Sequence, residues 1–397
     1  MNATGNEVYL CNSNSFLKLP NSMKLFSKGA VVYPKNGGAV FTNKKRILGQ
    51  DSLVDLNTGS YTPFSQMDEK FFYYLFSTVD FQKYYKGTAL PTVDMDAVQE
   101  IVWGLPSLAE QKRIVTAIEL TLPLIDKYEE THSQLSRLQN SFPEALKKSI
   151  LQEAVQGKLV PQDPSDEPAE ALLERIRVEK QRLIKEGKIK KDKHESVIFR
   201  RDNSHYEKRG SEEVCIDEEI PFEIPENWAW CRASSLGTMV RGRGIKRTET
   251  VVQGCPCIRY GEIYTTYETS FDAAVSFVPE SLDKDCLHFS SGDVVFTLTG
   301  ENKVDIAKTV AFLGDGQIAA GGDLAFWTHH GMNPLYLVYY MASPYCIELK
   351  RRTATGDIIV HISTSKVGNF LVPVPPFNEQ NRIVSAIERL FAVASAL

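Results

Sequence analysis

Apolar residues recur through the middle of the chain at helical spacing. Ile114, Ile118, Leu122 and Ile125 are separated by four, four and three residues, and Tyr128, Leu135, Leu138, Phe142, Leu146, Ile150 and Ala154 extend the stripe in steps of three, four or seven. Charged residues flank it, so the spacing predicts a helical stretch from Leu108 to Gln156. Pro123 and Pro143 are expected to kink or break it, because proline removes a backbone donor and clashes with the preceding turn. Gly157 suits a left-handed C-cap, and Pro161 follows just beyond. About fifty helical residues at ~1.5 Å each would reach ~75 Å if unbroken, enough to hold two domains apart.

Downstream, Asp163 to Pro168 reads as a turn-rich acidic linker. Ala169 to Glu186 reads as a second amphipathic helix, carrying Leu172, Leu173, Ile176, Leu183 and Ile184. Lys188 to Gly210 is polar and lysine-rich without an apolar period, the pattern of a mobile, solvated connector that has charges to offer a phosphate backbone. The pattern changes near Ile220. Trp228 and Trp230 stand two apart, as core aromatics on one face of a strand, and strand-like runs follow at Cys257–Tyr260, Ala274–Val278, Asp293–Leu298 and Thr309–Leu313 between glycine-containing loops. Pro334 then opens a predicted helix through Leu349, at a position where its missing donor is harmless.

Part of this text is written twice. LPSLAEQKRIVTAIE at Leu105 to Glu119 returns as VPPFNEQNRIVSAIE at Val374 to Glu388, an offset of 269 residues from Glu119 to Glu388. FSKGAVVY from Phe26 is echoed by FSSGDVVF from Phe289, and FYYLFST from Phe72 by LVYYMAS from Leu337, at offsets of 263 and 265 residues. A unit this long is a duplicated domain followed by a duplicated helix, not a solenoid repeat. Two such modules suit a reader of two separated half-sites. Roughly Ile220 to His288 precede the FSSG segment but only Met1 to Leu25 precede FSKG, and the second helix stops at Leu397, so the repeat logic expects truncation at both ends.

Composition narrows the function by exclusion. The chain is 397 residues long, 43% hydrophobic and 24% charged, with a formal net charge of -5, so any nucleic-acid surface must be local rather than global. No apolar run approaches the ~18 residues that span a bilayer, and MNATGNEV lacks the basic and apolar parts of a signal peptide; the expectation is a cytoplasmic protein with no membrane contact. Seven scattered cysteines are an odd set, read as reduced thiols.

Catalytic and cofactor motifs are weak. Val374-Pro375-Pro376-Phe377 and Asn333-Pro334-Leu335-Tyr336 each approach the Asp/Asn-Pro-Pro-Tyr/Phe element of amino-methyltransferases, but one lacks the polar first residue and the other the second proline. Glu348 with Lys350 is half of a nuclease metal site, and on a helix it is more simply an exposed charge pattern. Cys255 with Cys257, and His329 with His330, have no partner pair at zinc spacing. No glycine-lysine phosphate loop is present.

Two basic loops are the better candidates. VRGRGIKRTET places Arg241, Arg243, Lys246, Arg247 and Thr248 on a flexible turn, where glycines permit close approach to a phosphate and arginines can grip guanine edges. KRRTATGDIIVHIS offers Lys350, Arg351, Arg352, Thr353, Thr355 and Gly356 at the end of a helix, where cations also suit the helix dipole. The first copy keeps a basic glycine loop at the same place, with Lys86, Gly87 and Thr88.

IPENWAW, TATGDIIVHISTSKVGNFLVPVPPFNEQNRIVSAIE and SFPEALKKSILQEAVQGKLVPQ together resemble the specificity subunit of type I restriction-modification systems. The resemblance covers essentially the whole chain, and its proline-led Glu-Gln elements are Pro106, Glu110, Gln111 and Ile114, then Pro375, Glu379, Gln380 and Ile383. It implies an α+β fold, with mixed α/β target-recognition domains joined by a long helical spacer of coiled-coil type. The domains would be a first recognition domain at 1–104, the spacer helix at 105–160, a linker at 161–219, a second recognition domain at 220–373 and the start of a second helix at 374–397. It also implies a non-catalytic subunit that reads double-stranded DNA and directs modification (methyltransferase) and restriction (motor-nuclease) subunits. S-adenosylmethionine, ATP and magnesium would then belong to those partners and no cofactor to this chain. Self-association is a further expectation. The alternative is a silent fragment acting as scaffold or recombination partner.

Overall fold

The computed structural model describes residues 6–13, 24–190 and 195–396. The chain divides into two compact units, Met1–Arg137 and Leu138–Leu397. One helix, Leu108–Val155, begins in the first and ends in the second.

In the first unit, strand Val31–Pro34 lies between Arg46–Leu48 and Thr58–Tyr61, with Tyr9–Leu10 parallel to Arg46–Leu48 on the far edge. The helix Glu69–Ser77 is capped by Asp68, whose carboxylate accepts the N–H groups of Lys70 and Phe71. Its Phe72 and Phe76 join Tyr33, Tyr61, Phe81 and Trp103 in an aromatic core, with Phe72 and Phe76 stacked 5.5 Å apart. Lys45 is buried, donating to the Val79 carbonyl at 2.7 Å with its ammonium 4.1 Å from the Phe81 ring centre; burial lowers its pKa to about 8.

The second unit stacks helices on a five-stranded sheet and that sheet on a four-stranded one. The larger sheet has the order Thr238–Arg241, Leu324–Thr328, Val294–Thr297, Thr309–Phe312, Ser270–Phe271. The smaller has Ser276–Val278, Cys255–Ile258, Gln317–Ala320, His288–Ser290. Strand residues alternate between faces: Val294, Phe296, Ala311, Ala325 and Trp327 pack on the helical side, while Val295, Val310, Phe312, Leu324 and Phe326 pack with Ile258, Phe289 and Ile318 of the smaller sheet. A sheet covered on both faces needs continuous apolar runs, which is why VVF, TVAF and LAFW do not alternate with polar residues.

Four expectations change. The long helix is unbroken at Pro123 and Pro143. The carbonyls those prolines leave unbonded, of Glu119 and Gln139, lie on exposed turns where water can take the place of the missing donor. The helix predicted from Pro334 to Leu349 is two helices, Pro334–Ala342 and Pro344–Thr353, parted at Ser343, whose ψ of 150° is the extended state that a following proline imposes. Trp228 and Trp230 are both core residues, as expected, but they enter different clusters rather than one strand face.

The supposed mobile connector is the fourth. Beyond residues 191–194, which lie outside the described residues, it forms an antiparallel meander of Val197–Arg201, Ser204–Arg209 and Glu212–Cys215. Asp202 and Asn203 make its first turn with φ of 52° and 63°, the positive values a tight hairpin requires and Asp and Asn tolerate. An ion pair anchors the meander: Glu207 accepts from Arg232 Nε at 3.0 Å and Nη2 at 2.8 Å. Burial alone would raise the Glu207 pKa, but the Arg232 bonds outweigh it and hold the pKa down at about 2.

The two Glu-Gln elements position their helices by the same device. Gln111 accepts the Asp68 N–H at 2.8 Å and donates to the Pro106 carbonyl at 2.9 Å; Gln380 accepts the Asn333 N–H at 2.8 Å and donates to the Pro375 carbonyl at 2.9 Å. Asp68 and Asn333 each cap the helix that follows them. In the second copy Glu379 is also buried, accepting from Trp228 Nε1 at 3.0 Å and Gln162 Nε2 at 2.6 Å, while Arg382 pairs with Asp166 at 2.6 Å. The segment that follows the long helix is thereby tied to the start of Phe377–Ser395. Gly157 closes the long helix at φ 71°, with a Cβ there meeting Pro225 at 2.5 Å.

Candidate nucleic-acid interface

The basic loop at Arg241 is less free than its glycines imply. Arg241 ends the strand Thr238–Arg241, and its Nε donates to the Gly322 carbonyl at 2.8 Å. The N–H groups of Gly242 and Arg243 donate to Leu324 and Ala320 at 2.9 and 3.0 Å. A Cβ on Gly242 would meet the Gly321 carbonyl oxygen at 2.3 Å. This glycine therefore serves an approach of protein backbone to protein backbone, and the flexible-turn reading is corrected for Arg241 to Arg243. The arginine heads diverge in their partners: Arg241 lies 4.0 Å from Asp323, Arg243 donates to the Asp285 carbonyl at 2.7 Å. Lys246, Arg247 and Thr248 stand exposed, on a short turn closed by the Glu249 carboxylate accepting the Lys246 N–H at 2.7 Å.

The second loop divides more sharply. Lys350 is not available to DNA: it is 3% exposed, and its ammonium donates to the carbonyls of Ala307 (3.0 Å) and Met341 (2.5 Å). The residue two turns into the helix Pro344–Thr353 faces inward, where it ties off the end of the preceding helix. Burial lowers its pKa. Arg351 and Arg352 remain exposed and share the Glu348 carboxylate, at 2.9 and 2.8 Å, which makes Glu348 an ion-pair partner rather than half of a metal site. Thr353 bonds back to the Leu349 carbonyl at 2.8 Å, a helix-end contact. Thr355 and Gly356 open a tight turn whose ends exchange backbone hydrogen bonds with His361. In the first unit Lys86 pairs with Asp94 at 3.0 Å.

The fold brings further polar residues to this end of the second unit. Thr299–Gly300 pairs with Val360–His361, so Thr299 Oγ1 lies 3.2 Å from His361 Nδ1 and 3.5 Å from Asp323 Oδ1. Asp323 in turn neighbours Arg241. Tyr264 lies beneath, its hydroxyl 2.9 Å from Thr297 Oγ1 and donating to the Asp305 carbonyl at 3.1 Å. Lys303 reaches Asp357 at 3.5 Å. Exposed Arg241, Asp323 and His361 and half-buried Thr299 thus form one set of donors and acceptors drawn from four segments. His361 lay within the quoted basic segment, but Thr299 and Asp323 carried no sequence signal, since a lone Thr or Asp beside a glycine reads as an ordinary turn.

Among the described residues no group of three or more His, Cys, Asp or Glu side chains could hold a metal, and no helix is long and apolar enough to cross a membrane. The cysteines, Cys255 and Cys257 included, are unbridged. His330 is buried with Nε2 2.9 Å from the Gly292 carbonyl, and Asn333 is a helix cap, so the neighbourhoods of His329 and of the Asn-Pro element have structural explanations.

A mixed α/β module that presents loops at one end, followed by a proline-entered helix, is the class of architecture this geometry defines. No family model matches the chain. It is 31% identical over 312 residues to the type I restriction enzyme EcoAI specificity subunit of Escherichia coli, covering 74% of this chain and 49% of that protein. It is 31% identical over 262 residues to the EcoEI specificity subunit of the same organism, covering 64% and 40%. The chain is therefore a relative of the type I restriction enzyme specificity subunits, and it spans half or less of the length of these curated relatives. Among solved structures it is similar to the HsdS subunit of Thermoanaerobacter tengcongensis, at 15% identity and a TM-score of 0.47, over 94% of this chain and 75% of that one. It is also similar to a chain from a study of complex assembly and conformational transition of a type I R-M system, at 16% identity and a TM-score of 0.44, over 94% and 76%.

Proposed function

We propose that the chain is a DNA-recognition subunit of a type I restriction-modification complex, whose second module reads a sequence in double-stranded DNA while partner subunits methylate and cleave. The observation that carries this reading is the 31% identity over 312 residues to a protein named as a specificity subunit. The grouped loops support it physically. Arg241, Thr299, Asp323 and His361 offer donors and acceptors of the kind that read base edges, and exposed Arg351, Arg352, Lys246 and Arg247 can neutralise phosphates around them. In this reading the chain performs no chemistry, and S-adenosylmethionine, ATP and magnesium belong to its partners. The long helix supplies the docking surface, since Leu120, Leu124, Tyr128, Leu135 and Leu138 are all more than half exposed along it.

The test is co-expression with modification subunits, followed by selection of bound duplexes from a randomised DNA library. The expected result is a stable complex that enriches a defined sequence, with neither methylation nor cleavage by the purified chain alone. A complex that binds all duplexes equally, or a chain that associates with no modification subunit, would overturn it.

A further inference from the structure

The turn between Thr355 and His361 carries two aliphatic side chains at its tip. Ile358 is 88% exposed and Ile359 58% exposed, and Val304 on the adjoining loop is 50% exposed. Single exposed aliphatics are common on any surface. This tip differs because the base of its turn is fixed by backbone hydrogen bonds. Thr355 N–H donates to the His361 carbonyl at 2.9 Å and His361 N–H to the Thr355 carbonyl at 2.8 Å, closing the turn. Gly356 sits at φ 94°, where a Cβ would meet the Ile359 carbonyl oxygen at 2.1 Å, so the bend needs glycine. The strand pair Thr299–Gly300 with Val360–His361, and the Lys303–Asp357 contact at 3.5 Å, fasten the tip to the neighbouring loop.

The polar set adjoins this apolar tip. His361 and Thr299 lie at its base, with Asp323 and Arg241 next to them. On the major-groove edge of a base pair, the thymine C5-methyl is the apolar group that sits among donors and acceptors. An aliphatic tip on a fixed turn, bordered by a hydroxyl, an imidazole, a carboxylate and a guanidinium, has the matching distribution.

We infer that the Ile358–Ile359 tip packs against a thymine methyl group in the major groove, so that this module requires thymine at a defined position of its recognition sequence. The inference rests on the DNA-reading function proposed above and adds to it the chemistry of one contact. Ile358→Ala/Ile359→Ala removes the contact and leaves Gly356 and the backbone bonds of the turn in place.

The experiment uses the full chain in complex with modification subunits and the sequence selected from the randomised library. Each thymine is replaced singly by deoxyuridine, which deletes the methyl and changes no hydrogen bond. At one or two positions affinity should fall about fourfold, the effect of unburying a methyl-sized group. For the Ile358→Ala/Ile359→Ala complex the same replacement should have no further effect, while binding to unrelated duplexes and its salt dependence stay as in the unaltered chain. The inference is overturned if no deoxyuridine replacement matters, if it matters equally in the variant, or if the selected sequence tolerates any base at every thymine position. Failure of the unaltered chain to select any sequence would remove the DNA-reading function itself, and the methyl contact with it.

Discussion

The side-chain carbonyl of Gln380 accepts the backbone N–H of Asn333 at 2.8 Å, and the pair is repeated in the first unit by Gln111 and Asp68. In each copy one amide ties the start of a long helix to the cap of an earlier one. Gln380 is completely buried, so Gln380→Ala would leave the Asn333 N–H and the Pro375 carbonyl without partners and destabilise the second unit by ~2–4 kcal/mol. Gln380→Glu retains the acceptor but loses the donor and adds a buried charge, so it should be at least as damaging. Denaturant unfolding of the full chain measures both, as a lowered midpoint at unchanged slope.

Legibility in the sequence followed how local each cause was. The runs VVF, TVAF and the amphipathic Ala169–Lys185 announce themselves, because burial on two faces or one stripe is written directly into consecutive residues. The meander at Val197–Cys215 was hidden because its anchor is not apolar: Glu207 meets Arg232, which lies 25 positions away. Lys350 looked like a surface cation for a related reason. Its burial depends on the carbonyls of Ala307 and Met341, and only the second of these is sequence-local. The basic loops were visible as composition, but the joining of Arg241 to Thr299 and His361 through Asp323 is a property of strand order alone. The Gln-mediated helix ties were visible only as a repeated letter, with no indication of what the glutamine bonded.

Lys350 and Arg352, two positions apart, should behave oppositely. Lys350→Ala deletes the donor to two buried carbonyls and should lower stability by ~2–4 kcal/mol, with any loss of DNA binding tracking the folded fraction. Arg352→Ala should shift stability by less than ~1 kcal/mol, since its bond to Glu348 is an exposed helical ion pair. It should nevertheless weaken binding to every duplex and reduce its salt dependence. Thermal unfolding and DNA titration on the same two variants separate the cases.

His330 gives the fold a defined weakness to mild acid. Burial lowers its pKa from 6.5 to about 4, so between these values the unfolded chain binds a proton that the folded chain does not. Stability from this site is therefore complete above pH 6.5 and declines as pH falls toward 4, by up to ~3 kcal/mol. His330→Gln should flatten the profile in that window, even if it lowers stability at pH 7 through imperfect bonding to Gly292 and Met332. Glu207 acts lower: its depressed pKa of about 2 gives stability that is present above pH 4.5 and lost as pH falls toward 2. Denaturation midpoints measured from pH 7 to pH 3 for the unaltered chain and the His330→Gln variant should differ in slope only above about pH 4.

Arg241 provides the sharpest test of reading against gripping. Its guanidinium neighbours Asp323, and through it Thr299 and His361, whereas Arg352 is paired with Glu348 on its own helix. If the grouped set meets base edges, Arg241→Ala should cost ~1–3 kcal/mol on the preferred sequence and blur the preference at one position. Removing Arg241 also leaves the Asp323 carboxylate less screened toward phosphates, so a uniform loss on all sequences will be superimposed. The diagnostic is therefore the ratio of preferred to unrelated affinity, not either affinity alone. Arg352→Ala should lower both in proportion and keep the ratio. Arg243→Ala should have a smaller effect on the ratio than Arg241→Ala, because the Arg243 guanidinium bonds Asp285 rather than joining the Asp323 set. Titrations of the three variants at two salt concentrations, with modification subunits bound, decide the matter; if Arg241→Ala leaves the ratio unchanged, Arg241 grips phosphate and base reading falls to the Thr299, His361 and Ile358 side of the surface.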